Sequence, residues 1–371
     1  MEMRLRPTAS DITLNTGVSM TTRRIVAGLA VAALSMGLTA CSSDEDAETP
    51  TTENSSNENS GSLDSADAFP VTIEHAFGET IIEEEPVRVA TIAWNNHEVP
   101  LALGTVPVGM EKVTWGDDDD NGMLPWVEDA LTELGGETPV LFDATDSIPF
   151  DTIADTNPDV ILAAYSGLTQ EDYDMLSQIA PTVAYPDLAW GTSLEEMIEI
   201  NSTALGKAEE GEALIEELHG EIEAALDNHE SLRGTKPVFA FIDNSDMSKI
   251  GVYTELDPRQ SFLLDNGFDT ASILKENADA ETFYIEVSAE NPEAFEDVDF
   301  FITYGSDDDA ENQASLEAWQ NDPLLSRIPA IANGNVVFLG NGPLAAAANS
   351  SPLSIAWGID DYFALFEEAL N

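Results

Sequence analysis

In 371 residues the chain holds one cysteine, four histidines and 13 Lys and Arg against 71 Asp and Glu. A single cysteine excludes an intramolecular disulfide, and with so few histidines it excludes a structural metal site built from Cys and His clusters. The formal charge of −58 excludes nucleic acid as a partner, because nothing on such a chain neutralises phosphates. The same field disfavours an anionic membrane surface and anionic small molecules, except where a local Arg or Lys reverses it. Catalytic signatures are missing as well. There is no G-x-S-x-G elbow, no P-loop, no G-x-G-x-x-G and no cysteine nucleophile with a base at a recognisable spacing. The acidity itself reads as adaptation to saline surroundings, where screening shortens the range of self-repulsion.

What is present begins with the position of that one cysteine. Arg23 and Arg24 precede an uncharged run over residues 25–40, and Cys41 follows directly. Sixteen apolar residues are short of the ~20 that span a bilayer, so the run reads as a secretory signal. Leu38-Thr39-Ala40-Cys41 resembles a bacterial lipobox, which implies cleavage before Cys41 and a lipid on its sulfur. Residues 1–40 are therefore read as a signal peptide, with Met20 as an alternative start. Residues 42–68 carry eight acids, no basic residue and mainly Ser, Thr, Asn and Gly otherwise. Such a segment cannot bury enough apolar surface to offset the entropy of ordering it, so residues 41–68 are expected to form a lipid-anchored, self-repelling leash. With residues 1–40 removed, the remainder keeps 69 acidic against 9 basic residues.

From residue 69 onward, short apolar strands alternate with helical stretches, the layering of an α/β protein. Residues 71–75 and 79–82 flank Phe77-Gly78 as a hairpin. Strands are read at 87–92, 107–110, 157–164, 182–185, 237–242, 300–304 and 335–339, and helices at 95–103, 170–179, 259–265, 315–320 and 353–370. Residues 207–230 contain no proline, and Ala213, Leu214, Leu218, Ile222, Ala225 and Leu226 recur at helical spacing. The expectation is two α/β lobes, 69–206 and 232–371, each with roughly four parallel strands flanked by helices, joined by one long helix over 207–231.

Histidines give no metal site by spacing. His219 and His229 are ten residues apart and lie on different faces of that helix, and His75 and His97 are read as surface residues. The run Asp117 to Asp120 lacks the glycine and closing glutamate of a calcium loop, so it reads as a solvated acidic loop with weak cation binding as the alternative. Aromatic residues tell more. Trp94, Tyr165, Trp190 and Tyr304 each follow a strand, and ligands of open α/β sheets lie beyond the carboxyl ends of strands. Trp115 and Tyr284 are added as further wall residues of the same cleft. Arg259 is a basic residue in a very acidic chain, which requires a partner. That partner is either Asp257 or Asp265, or the oxygens of a ligand.

Pro86-Val87-Arg88-Val89-Ala90-Thr91, Asn157-Pro158-Asp159-Val160-Ile161-Leu162-Ala163, Ile179-Ala180-Pro181-Thr182-Val183-Ala184-Tyr185 and Asp257-Pro258-Arg259 together resemble the iron-siderophore substrate-binding lipoproteins of ABC transporters. Ser351-Pro352-Leu353-Ser354-Ile355-Ala356-Trp357-Gly358 resembles the last segment of the ferric enterobactin-binding branch. The resemblance implies two α/β lobes on one helix, little hinge motion and a shallow cleft that binds a ferric siderophore for iron uptake. Haem- and cobalamin-binding proteins share that fold. It also implies that Asp151 and Glu290, one acid per lobe, meet arginines of the permease. The expected protein is a monomeric, non-enzymatic carrier at the extracytoplasmic face of the bacterial cell membrane, with the siderophore and the permease subunits as partners and with no metal ligand or cofactor of its own. An extracellular hydrolase or an adhesive lipoprotein is the competing class, and neither a nucleophile–base pair nor internal repeats appear in its favour. Cys41→Ser is expected to release the protein into the medium or leave it unprocessed. Mass spectrometry showing an unmodified Cys41 in the mature wild type would contradict the anchor.

Overall fold

The central strands of both sheets are buried on both faces, which is why their sequences run as unbroken apolar stretches rather than alternating ones. The computed structural model describes residues 68–371. The expected signal peptide, Cys41 and residues 42–67 of the expected leash lie outside the described residues. Val71–His75 (β1) and Gly78–Ile82 (β2) form an antiparallel hairpin, closed at Gly78, whose φ of 126° suits only glycine. The first sheet is made of Val89–Thr91 (β3), Gly109–Glu111 (β4), Val140–Phe142 (β5), Val160–Leu162 (β6) and Thr182–Val183 (β7). Its order is β5-β4-β3-β6-β7, and every pair is parallel.

The second sheet contains Pro237–Phe241 (β8), Lys249–Tyr253 (β9), Tyr284–Ser288 (β10), Phe300–Tyr304 (β11) and Val336–Leu339 (β12), in the order β10-β9-β8-β11-β12. Only β8, β11 and β12 are parallel; β9 runs antiparallel to both of its neighbours. Five strands per sheet replace the four expected from sequence, and the second sheet is mixed. Gly251 hid β9 from the sequence reading. A Cβ there would fall inside the Phe241 ring, so this glycine marks close side-chain packing within a strand. The helix expected at 95–103 is shorter, Glu98–Ala102, because Asn95 takes a left-handed φ of 63°. Conversely, the helix expected at 315–320 extends over Asp309–Asn321.

The long helix runs Ala208–Asn228 and buries Leu218, Ile222, Ala225 and Leu226, one stripe at three- and four-residue spacing. Those side chains share a single apolar cluster with Met197 and Ile198 of the first lobe and with Phe239, Phe300, Tyr362, Phe363 and Phe366 of the second. Each fully buried Leu or Ile there contributes about 1.5–3 kcal/mol, so the junction between lobes is a core rather than a linker. A second tie comes from the closing helix Pro352–Leu370. Its start is held by Glu98 of the first lobe, which accepts Leu353 N–H at 3.1 Å on one carboxylate oxygen and Trp126 Nε1–H at 2.8 Å on the other. No helix among the described residues is long and apolar enough to cross a membrane.

Histidine placement departs from the sequence expectation. His75 and His97 are buried rather than at the surface: His75 Nε2 bonds Thr80 Oγ1 at 2.9 Å, whereas both ring nitrogens of His97 have no hydrogen-bond partner among the described residues. Burial drives the His97 pKa from its ordinary 6.5 to about 4, and burial pushes the adjacent Glu98 from 4.5 up to about 7 against its hydrogen bonds. Their contributions to stability have opposite pH dependence. The His97 contribution is complete above 6.5 and is lost as pH falls through about 4; the Glu98 contribution is complete below 4.5 and is lost as pH rises through about 7. His97→Leu removes only the first. Between pH 6.5 and 4 the wild type should therefore lose about 3 kcal/mol more than this variant in denaturant titrations. Equal pH slopes would contradict the burial argument.

Candidate functional site

Two loops that leave adjacent strands of the first sheet are fastened together by one side chain. Asn96, fully buried, donates from Nδ2 to Ile92 O at 2.9 Å and Tyr165 O at 2.8 Å, and its Oδ1 accepts Tyr165 N–H at 3.1 Å. Ala93, in the left-handed region at φ 62°, donates its N–H to Glu111 Oε2 at 2.7 Å. This network fixes Trp94 after β3 and Tyr165 after β6 on the same edge of the sheet. Trp190 joins them from the loop after β7. Its N–H donates to Ser166 O at 2.9 Å, its φ is 62°, and its ring meets Tyr165 edge-on at 5.4 Å. The indole lies against Gly167, where a Cβ would overlap Nε1.

The second lobe supplies the opposite wall. Asp257 caps the helix Pro258–Asp265 by accepting Arg259 N–H at 3.1 Å, and the same carboxylate takes the Arg259 guanidinium in two parallel bonds of 2.8 and 2.6 Å. The guanidinium sits 4.4 Å from the Tyr253 ring centroid and 5.6 Å from that of Tyr304, and it donates to Tyr304 OH at 3.4 Å. Burial opposes its charge, but the Asp257 carboxylate outweighs burial and raises the pKa, so this pair is a permanent, internally neutral unit. Of the two partners expected from sequence, Asp257 is the one engaged.

All seven residues singled out from sequence, Trp94, Trp115, Tyr165, Trp190, Arg259, Tyr284 and Tyr304, line one open interlobe cleft. Tyr253, Asp257, Pro258, Phe283 and Asn349 complete it. Tyr253 ends β9 as Tyr304 ends β11, so the strand-end rule would have found it had β9 been recognised. Asn349 bridges the lobes, donating to Tyr165 OH at 3.0 Å and accepting Asn95 Nδ2–H on its carbonyl at 2.9 Å, and no sequence signal marks it. Trp115 stands between the lobes, its ring 6.4 Å from Trp94 and 5.5 Å from Tyr304.

Chemically the cleft is a set of aromatic faces around a self-compensated ion pair. Among the described residues, no histidine, cysteine or unpaired carboxylate lines it. Two of its phenols are poor ligands as well: burial pushes Tyr165 up to about 12 and raises Tyr304, so neither becomes a phenolate near neutrality. Among the described residues, no group of three His, Cys, Asp or Glu side chains gathers in this cleft. Asp151 and Glu290 lie outside it, both exposed, the first on the helix Phe150–Asp155 and the second just after β10. Asp117, Asp118 and Asp119 bring carboxylate oxygens within 4.8 Å of one another on an exposed loop where Asp117 accepts Gly122 N–H at 2.6 Å.

Residues 89–342 match the family described as periplasmic binding protein, and the chain belongs to that family. A probable siderophore-binding lipoprotein of Bacillus subtilis is 28% identical over 305 residues, 79% of this chain and 89% of the relative. The crystal structure of PiaA from Streptococcus pneumoniae in complex with ferrichrome superposes with a TM-score of 0.75 at 44% identity, covering 81% of this chain and 98% of that one. SirA from Staphylococcus aureus complexed with staphyloferrin B, at 21% identity and a TM-score of 0.60 over 80% of this chain and 98% of that one, shares the fold.

Gly167→Ala tests the packing of Trp190. No left-handed backbone is required at Gly167, so the cost is steric: about 1–3 kcal/mol of stability, with a shift in tryptophan emission as the indole leaves its seat. Unchanged emission would contradict it.

Proposed function

We propose that this protein is a lipid-anchored, extracytoplasmic carrier that binds a ferric siderophore in the interlobe cleft and delivers it to an ABC-type permease, without catalysing a reaction. The observation that carries this reading is the Arg259–Asp257 pair, neutral as a unit, set in a cleft walled by aromatics. A chelate that already saturates its iron needs contact area and hydrogen bonds, and large rigid aromatics supply area at low entropic cost. Because Arg259 is compensated, the cleft has no free positive charge to offset the field of the chain. A neutral chelate, such as the hydroxamate ferrichrome, is therefore favoured over the anionic ferric catecholate to which the resemblance of residues 351–358 pointed. The 44% identical structural relative that holds ferrichrome supports the same choice.

Asp151 and Glu290 are assigned to permease docking. Each is exposed on a different lobe and away from the cleft lining, which suits rim contacts that orient two surfaces rather than hold a ligand.

Tryptophan quenching distinguishes the cargoes. Parallel titration with ferrichrome, a ferric catecholate, haem and cobalamin should show saturable binding of ferrichrome and at least ~10-fold weaker binding of the catecholate, the equivalent of one charge-assisted contact. Tight binding of haem or cobalamin with no response to ferrichrome would overturn the assignment. The double variant Asp151→Ala, Glu290→Ala should keep ferrichrome affinity while iron uptake by cells collapses. Normal uptake would remove the docking role.

A further inference from the structure

Behind Trp190 lies a second pocket, open to solvent on one side and lined, among the described residues, by the first lobe alone. Among the described residues, Trp190 alone lines both this pocket and the interlobe cleft. Its indole is 41% exposed and is seated on Gly167 rather than locked into the apolar core. The pocket is apolar over most of its wall, with Ile92, Phe142, Ile148, Phe150 and Leu168 contributing, yet it contains Glu111 and Asp172 and, among the described residues, no Lys or Arg.

Glu111 is placed with some care by the fold. It ends β4, and its Oε2 is held by Ala93 N–H at 2.7 Å, while Oε1 takes no hydrogen bond among the described residues. Neither Glu111 nor Asp172 forms an ion pair among the described residues, although the Asp172 side chain is engaged by Thr169 at the start of the helix Gln170–Leu176. Burial raises the Glu111 pKa, as expected for a carboxylate without a compensating cation. A bare metal ion or small cation would find equivalent carboxylates all over this acidic surface, without apolar walls. A hydrocarbon spacer alone would gain nothing from a buried carboxylate. The combination selects a group with both parts.

We infer that this cavity is a side pocket for a pendant arm of the chelate, an apolar chain ending in a protonated amine that Glu111 meets, with Trp190 as the wall between arm and core. The inference rests on the reading of the cleft as a siderophore site and names the chemistry of the ligand beyond its iron-binding centre. It also gives Trp190 a place at the boundary, because the indole seated on Gly167 belongs to the lining of the cleft and of the side pocket alike.

The test compares two ferric trihydroxamates that share one chelating core: desferrioxamine B, with a free terminal amine, and its N-acetylated form. Wild type should bind the amine form about tenfold more tightly, the size of a charge-assisted hydrogen bond. In Glu111→Gln the two affinities should agree within about twofold. Ala144→Trp fills the cavity from a wall that the cleft does not share, and it should weaken the amine form without touching ferrichrome affinity. Equal binding of the two forms by wild type, or a preference that persists in both variants, would overturn the side pocket. Binding of ferrichrome with no response to either linear chelate would overturn the side pocket alone, whereas failure of every ferric chelate would overturn the cleft reading and the pocket with it.

Discussion

The bidentate pair between Arg259 and Asp257 sets the electrostatic character of everything around it. Asp257 is almost completely buried, and a charge in that position is tolerated only because the guanidinium satisfies both of its oxygens. Fixed in this way, Arg259 presents its flat face to Tyr253 and one N–H to Tyr304, so the ion pair orders the aromatic wall of the second lobe. The cost of burying two charges is offset locally, and the cleft is left without net charge in a chain that has 58 more negative than positive groups. Selection among ligands then falls to shape, aromatic contact and charge of the cargo.

The cleft is only as well defined as the separation of the lobes, and two structures hold that separation. One is the long helix, whose buried stripe belongs to a cluster shared with both sheets. The other is Glu98, which anchors the start of the closing helix to the first lobe through Leu353 and is itself held by Trp126. Asn349 adds a polar stitch at the rim of the cleft, between Asn95 and Tyr165. An interlobe junction built from core packing and buried hydrogen bonds opposes wide hinge motion.

Much of this was legible in the sequence because strand ends are legible. Apolar runs such as Val160-Ile161-Leu162 announce buried parallel strands, and Trp94, Tyr165 and Tyr304, at or just beyond the ends of three of them, line the cleft. Arg259 was legible as a residue in need of a partner, but only the helix cap geometry shows that Asp257, two positions earlier, is engaged rather than Asp265. What escaped has physical reasons. Gly251 interrupts the apolar pattern of β9 because the Phe241 ring occupies the space of its missing side chain, and with β9 went Tyr253. β5 is three residues long with Val140 half exposed, too short for any period to emerge. The helix Leu194–Ala204 was overlooked although Ser193 and Glu196 form a capping box that sequence spacing displays openly. Asn96 and Asn349 act through backbone carbonyls and a phenol brought together by tertiary folding, which no local pattern encodes.

The central claim is that iron is held here at second hand, inside a neutral chelate and by aromatic faces, with no protein atom in its coordination sphere. Diffraction from crystals of the ferrichrome complex, recorded at the iron absorption edge, tests this most directly. The account predicts a single iron peak in the interlobe cleft between the Trp94 and Tyr253 walls, with all of its coordinating oxygens supplied by the chelate. An iron peak elsewhere, or one bonded to a side chain such as Tyr165, Tyr304 or Asp257, would contradict it.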